Sequence, residues 1–419
     1  MTTATRSGQR LPLLVILAIS FLGTLGMTIV FPVLPFVLRP YVADDGALAL
    51  WVGVVDAVYA ACALLSAPVL GAWSDRIGRR PILVVSLIGS TLGWVMFGIG
   101  GAMAVFLLAR IVDGLTAGNM SVAFAYLADI TEPEDRAKRF GLAGAIGGAG
   151  TLIGPAVGGL LTPFGLAVPV FVAAGVTGLT AVLALVALPE SLRPTSERHP
   201  FALRDLDPIR PMVAIVRRVE LRSLLVAFAL LGIALAVVAT NISVLALDAV
   251  GWGPIQVGFL LTGVGAIDIV MQGFLLGVFL RLAGERGVVL AGLAGVGVAC
   301  GLIGLVGSIV PSAVLLVAAG LLFAMAEGAT TATLQGLLSR SVGDEEQGWL
   351  AGGLTALGSA IQLVIPIAAG LLYAQVAPSA PYVLSAAALF VAVALLGARL
   401  RGEGRAEAIE AGGRSAEPA

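Results

Sequence analysis

Long apolar runs separated by short polar knots dominate this chain. A transmembrane helix needs roughly 20 apolar residues. Runs of that kind number twelve: 12–38, 48–73, 81–100, 103–129, 138–163, 168–188, 221–249, 254–280, 287–308, 311–338, 347–375 and 379–399. Each predicts a membrane-spanning α-helix, because a helix satisfies its own backbone polar groups where water is absent. The densest knot is Gly71-Ala-Trp-Ser-Asp75-Arg76-Ile-Gly78-Arg79-Arg80-Pro81, between spans 2 and 3. So much charge cannot lie in hydrocarbon and predicts a tight turn at a membrane face. The longest polar segment, Pro189–Arg218, divides six spans from six. The expected fold is an all-α membrane protein of two pseudo-symmetric six-helix bundles: 1–188, a cytoplasmic linker at 189–220, 221–400, and a disordered cytoplasmic tail at 401–419.

Composition agrees with that pattern. The chain is 59% hydrophobic and 12% charged, with 55 glycines and a mean hydropathy of +1.04. Small residues at this density suit close helix packing in lipid. A net charge of −1 offers no basic stripe to nucleic acid. Cys62 and Cys300 both sit in apolar runs, which argues against a disulfide framework or a metal site. Arg6 and Arg10 precede the first run, but that run is too long for a signal peptide and reads as an uncleaved helix.

Charge also orients the chain. With both termini inside, every Arg and Lys except Arg39 and Arg110 falls on the cytoplasmic side or at its interface. Trp51 and Trp252 then mark the outer starts of spans 2 and 8. The halves repeat weakly. Gly78-Arg79-Arg80 aligns with Gly284-Glu285-Arg286, and Asp129–Leu161 aligns with Arg340–Leu372, matching Pro155 to Pro366 and Gly159 to Gly370. Such repeats point to a transporter with a site near the midplane.

Three motifs carry a resemblance. Gly71–Pro81 is similar to the loop 2–3 signature of the major facilitator superfamily. Arg110-Ile-Val-Asp113-Gly114-Leu-Thr-Ala-Gly118 resembles the helix 4 motif of its proton-coupled members, and Gly150-Thr-Leu-Ile-Gly154-Pro155-Ala-Val-Gly158 the helix 5 motif of drug:proton antiporters. Phe31-Pro-Val-Leu-Pro35 followed by Asp75–Pro81 looks most like the tetracycline and multidrug exporters. The acids that tetracycline exporters usually carry in helix 1, and often in helix 3, have no counterpart at Gly23-Thr24-Leu25-Gly26 or Gly93-Trp94. The resemblance implies the major facilitator fold, a role for Arg110 in proton coupling, and antiport in the direction of export.

The residues themselves suggest how this would work. Asp75 sits at the cytoplasmic end of span 2, and Arg79 can reach back toward Asp129 at the cytoplasmic end of span 4; this relay would latch the two halves when the cytoplasmic side is closed. Gly78 would permit the turn. The alternative is a topology signal that only keeps the loop inside. Arg281 and Arg340 reverse the signs of Asp75 and Asp129, so the second half's relay reads as altered or lost. Arg110 lies about seven residues, roughly 10 Å, inside the outer face. It has Asp113 one turn away, with Gly114 and Gly118 on the same side. Its alternative reading is a buried pair tying helices 1, 4 and 5.

Embedded carboxylates are Asp56, Asp113, Asp268 and Glu327; Asp248 lies nearer the outer end of span 7. Low dielectric favours a neutral carboxyl group, and exposure to water or pairing with a cation releases its proton. Each could instead be a hydrogen-bonded tie. Gly150, Gly154 and Gly158 share a face expected to pack on span 8 or 11, and Pro155 should bend that helix. Tyr59, Asn241, Met271, Gln272, Gln335 and Gln362 are candidate cavity liners. His199 reads as a solvated loop residue, and Pro189–Arg218 as holding a short amphipathic helix on the membrane.

These features predict a monomeric proton-coupled antiporter of the inner membrane, multi-pass, with both termini cytoplasmic. Its partners would be protons, lipid and a small, partly apolar drug or antibiotic, tetracycline-like compounds included. It would need no cofactor and no metal, and it would not be an enzyme. No Gly-x-x-x-x-Gly-Lys loop is present to use ATP. Other readings are an exporter of a native metabolite or sugar, an importer, and a non-transporting scaffold or receptor.

Overall fold

The computed structural model describes residues 10–192, 209–394 and 396–397, and these are helical with short connections. Residues 193–208 of the linker, His199 among them, and the 401–419 tail lie outside the described residues. The spans are α1 (Arg10–Ile29), α2 (Asp45–Ile77), α3 (Arg79–Ile99), α4 (Met103–Leu115, resuming as Asn119–Asp129), α5 (Arg136–Leu161), α6 (Val168–Ala187) and α7 (Arg222–Val250). Next comes the continuous run Pro254–Val306. Its 53 residues would reach about 80 Å at 1.5 Å per residue, far more than one bilayer crossing. It therefore crosses twice, as α8 (254–283) and α9 (285–306), and turns at Gly284, where φ is 65°. The last three are α10 (Ala313–Arg340), α11 (Gln347–Gln375) and α12 (Ala380–Ala394).

Two expected spans are interrupted. The first run ends as a helix at Ile29, and Leu34–Leu38 follows as a separate short helix. Pro32 and Pro35 lie at this break, and neither can donate a backbone hydrogen bond. Span 4 breaks at 116–118. Here the Ser66 hydroxyl donates to the Gly114 carbonyl (2.9 Å), and Thr116 Oγ1 donates to the Val112 carbonyl (2.8 Å). Side-chain hydroxyls thus take carbonyls the helix would otherwise use.

The charged turn is shorter than a loop. α2 runs to Ile77 and α3 starts at Arg79, so Gly78 alone joins them, with φ 125°. Two arginines in the first turn of α3 oppose the helix dipole. Glu190, just past α6, offsets this: its carboxylate accepts the backbone N–H of Arg79 (2.8 Å) and Arg80 (3.2 Å). Arg80 in turn donates to the Leu185 carbonyl near the end of α6. A Cβ on Gly78 would strike that carboxylate. Gly78→Ala should therefore cost about 1–3 kcal/mol from backbone strain alone. A fall in thermal unfolding temperature, larger than for Gly71→Ala where a Cβ meets nothing within 4 Å, is the check.

The bundles meet along two seams, α2 on α11 and α5 on α8. In the first, a Cβ on Gly53 would strike the Pro366 carbonyl, and one on Gly370 would lie 2.7 Å from the Ala49 carbonyl and the Leu50 Cα. In the second, a Cβ on Gly258 would strike the Pro155 carbonyl, and one on Gly159 would lie 2.7 Å from the Pro254 carbonyl. The aligned pairs Pro155/Pro366 and Gly159/Gly370 thus occupy equivalent places. Both seams lie toward the far face, the face of Gly100. Toward the near face, which carries Gly78, the helices part. A Cβ on Gly141, Gly144, Gly148, Gly273, Gly277, Gly348, Gly352 or Gly358 would meet nothing within 4 Å.

The predicted glycine face of α5 has a different partner from the one expected. Gly150, Gly154 and Gly158 pack against α1, not α8 or α11. A Cβ on Gly154 would strike Thr28, and one on Gly158 the Ile29 carbonyl. Thr24 Oγ1 also donates to the Gly147 carbonyl (2.8 Å). The seam to α8 uses the adjacent stripe of Leu152, Pro155 and Gly159. The helix continues through Pro155 as one element.

Within the 189–220 linker, Ile209–Val216 forms a short helix. Its Ile215 is buried with Leu221, Leu225, Leu338 and Leu350, so it packs on the second bundle.

Candidate functional site

Within the first bundle a cavity of about 220 Å³ is walled by α1, α2, α3, α4 and α6. Asp56, Tyr59, Ser90, Trp94, Arg110, Asp113 and Asn119 line it. The sequence placed Asp56 and Asp113 on different helices; the fold brings both to Arg110. Arg110 Nη1 lies 3.4 Å from Asp113 Oδ2, and both side chains are only 8% exposed. Two glycines of α3 make this possible. A Cβ on Gly93 would lie 2.9 Å from that of Asp113, and one on Gly89 would strike Thr116. Gly114 plays the same part toward α2, where a Cβ would lie 2.6 Å from Cys62 and 2.7 Å from the Tyr59 carbonyl. Gly118, at the break in α4, faces Leu70 and Ser86. The pair is therefore held by α2 and α3, not by α1 and α5 as its tie reading expected.

A second, more open cavity of about 580 Å³ continues from Tyr59 and Ala117 toward the near face. α2 and α11 form its walls, with Thr355, Ser359 and Gln362 as polar groups, and Pro211 of the linker helix at its edge. Tyr59 and Gln362 are thus cavity liners. Asn241 is not: it is fully buried within α7, with both amide atoms lacking a partner among the described residues. Met271 is buried against Val288 and Ala329, so it too is no cavity wall. Gln335 is exposed and lines neither cavity.

The second bundle carries its own acidic cluster. A π-helical turn, Met271–Leu275, follows Asp268 in α8. Gln272 Nε2 donates to both carboxylate oxygens of Asp268 (2.8 and 2.9 Å). A Cβ on Gly328 of α10 would strike Asp268, and its neighbour Glu327 accepts from Thr331 (2.7 Å). Asp248 accepts from the Tyr373 hydroxyl (2.8 Å), tying α7 to α11.

At the near face, Arg79 bonds Asp75 (2.5 Å), Asp129 (3.2 Å) and Ser74 (2.7 Å). Ser191 also donates to Asp129 (2.9 Å). These partners all belong to the first bundle. The second bundle holds the mirror arrangement with signs exchanged: Arg340 pairs with Glu285, beside the Gly284 turn. Its relay is inverted, where the sequence suggested it was altered or lost. Arg79 is 14% exposed and Asp75 62% exposed, so loss of Arg79 strands two carboxylates while loss of Asp75 frees one partner. Arg79→Gln should accordingly lower transport more than Asp75→Asn, at equal amounts of inserted protein. Transport per molecule for the two variants checks it.

Glu190, Glu285, Trp94 and Phe97 were given no role from sequence, and Tyr59 was expected as a cavity liner rather than as a neighbour of Arg110. Glu190 had a signal: it is an acid immediately after span 6 at the arginine-rich face.

Two bundles joined by glycine seams, with charge buried midway along the helices, define a multi-pass membrane transporter for small molecules, not an enzyme. The chain belongs to the Major Facilitator Superfamily, whose sequence pattern matches residues 16–267 and 224–418. The class C tetracycline resistance protein of Escherichia coli is 34% identical over 364 residues, covering 86% of this chain and 89% of that protein. Multidrug resistance protein 2 of Bacillus subtilis (strain 168) is 27% identical over 281 residues, 66% of this chain and 69% of that protein. In fold, the chain matches the human organic anion transporter MFSD10 (TETRAN) at a TM-score of 0.68 with 22% identity, covering 93% of this chain and 99% of that one. It also matches a bacterial homolog of the human lysosomal transporter Spinster, in an inward-facing and occupied conformation, at 0.74 with 15% identity, covering 96% and 98%.

Proposed function

We propose that this chain exports a small, partly apolar drug across the bacterial inner membrane in exchange for protons, with tetracycline the first compound to try. The observation that carries the proposal is Arg110 buried beside Asp113 and Asp56 in a cavity that shares Tyr59 and Ala117 with the near-face cavity. One cation among two carboxylates gives a site that can exchange a proton for a ligand. The identity with tetracycline resistance proteins supports both the substrate class and the direction.

The near face is cytoplasmic on this reading, since the arginines of the 71–81 and 217–222 segments lie there. The described state then opens to the cytoplasm, where an exporter loads. Closing that face would bring Gly141, Gly144 and Gly148 of α5 against the stretch of α8 holding Asp268 and Gln272; the Arg79 relay, already formed within the first bundle in this open state, would brace that bundle rather than latch the two halves. The bundles 1–188 and 221–400 move as units about the 189–220 linker. One chain suffices, and the proton gradient replaces any cofactor; one charge through 100 mV is worth about 2.3 kcal/mol.

The test is a drug-susceptibility panel in a host lacking its own exporters, with and without a protonophore. Resistance that the protonophore abolishes is the expected result. No change in resistance or accumulation for any compound would overturn the proposal; resistance that survives the protonophore would overturn its proton coupling.

A further inference from the structure

The Arg110–Asp113 contact is a thin one. It is a single bond at 3.4 Å, near the limit for a hydrogen bond. Arg110 Nε is buried and has no hydrogen-bond partner among the described residues. What surrounds the guanidinium is aromatic. Its central carbon stands 4.6 Å from the centroid of Trp94, 5.1 Å from Phe97 and 5.7 Å from Tyr59. All three lie within the 6 Å over which a ring face attracts a cation, an attraction that strengthens when water is excluded.

The cage is itself braced. Trp94 meets Phe97 edge to face (6.1 Å), Phe97 meets Phe106 (4.8 Å), and Phe106 meets Tyr41 (5.1 Å). Tyr41 then accepts the Gly101 backbone N–H (3.1 Å) at the far face. Phe97 and Phe106 are at most 1% exposed, so this column cannot shift without disturbing the core. It runs from the buried charge to the sealed end of the bundle.

We propose that Trp94, Phe97 and Tyr59 are positioning residues that hold Arg110 in place whether or not Asp113 carries its charge. Resting on the antiport reading above, this adds a division of labour. The rings fix the cation, and the carboxylates change state around a stationary charge. Without the rings, Arg110 would close on Asp113 in a tighter, bidentate pair, and substrate would drive proton release at lower pH. The ionisable groups lining the cavity with Arg110 are Asp56 and Tyr59 from α2 and Asp113 from α4, while Cys62 of α2 meets Gly114; the parts of α1, α3 and α6 that line the cavity bring none.

The experiment is substrate-driven proton release from the full-length purified transporter, measured as a function of pH alongside substrate binding. The substrate is the compound chosen by the susceptibility panel. Trp94→Leu and Phe97→Leu remove one ring each. Phe97 does not line the cavity, so its loss reaches the substrate only by way of Trp94 and Arg110. Both leucine variants should move the pH of half-maximal release about one unit to acid, a tenfold change in proton concentration, with Phe97→Leu lowering substrate affinity less than Trp94→Leu. Trp94→Phe, which keeps a ring, should move it less than half as far; it carries the test alone if the leucine variants do not fold. Unshifted profiles in the folded variants would overturn the cage. So would a Phe97→Leu variant that loses affinity without a shift. A wild-type protein that binds substrate and releases no proton would sink the antiport reading instead.

Discussion

Leucine at Gly258 is expected to stop transport while leaving the protein folded, whereas leucine at Gly154 is expected to remove folded protein. Both glycines lie at contacts too close for a side chain, but the contacts differ in kind. Gly258 faces the Pro155 carbonyl and, at 3.3 Å from a Cβ, Gly159, across the seam between bundles. A side chain there wedges the far face open and leaves each bundle's own packing intact. Gly154 faces Thr28, and at 3.1 Å the Ile29 nitrogen, within one bundle. Overpacking there must distort α1 or α5, at about 1–3 kcal/mol or more. Size-exclusion profiles of detergent extracts and transport per folded molecule separate the two. Equal losses of folded protein in both variants would show that the seam is as much a part of the folded core as the α1–α5 contact.

The second large effect is expected at Arg110 and Asp113. Arg110→Ala leaves a buried carboxylate with its cation gone, which costs roughly 3–5 kcal/mol, and stability should fall along with transport. Arg110→Lys keeps the charge but loses the flat guanidinium that lies among Trp94, Phe97 and Tyr59, so it should fold and transport poorly. Asp113→Asn should abolish proton release on substrate addition while some substrate binding remains. Proton release equal to wild type in Asp113→Asn would move the proton carrier to Asp56, Asp268 or Glu327, the other embedded carboxylates.

Much of this molecule is legible in its amino-acid sequence. The twelve runs, the 71–81 knot and the division at Pro189 depend on one local property, the cost of placing polar groups in hydrocarbon, and that cost is read residue by residue. The turn at Gly78 is legible for a similar reason, because charge has to leave the membrane there and a glycine stands at the junction. Arg110 and Asp113 are legible as a pair because one helical turn separates them.

Partners across helices depend on the tertiary structure. Gly150, Gly154 and Gly158 announce a close contact, but nothing local says whether α1 or α8 makes it; the register and rotation of α5 decide. Asn241 and Met271 are sound polar or soft candidates whose helices turn them away from the cavity. The inverted relay of Arg340 and Glu285 becomes visible only once two loops meet. The same holds for the cage around Arg110. Trp94 and Phe97 lie on α3 and Tyr59 on α2; Gly89 and Gly93 of α3 let α4 approach, Gly114 of α4 lets α2 approach, and together they bring the rings to the charge. The sequence by itself determined where the chain crosses the membrane, because solvation is local; which faces meet was decided by the packing of all the helices together, because packing is not.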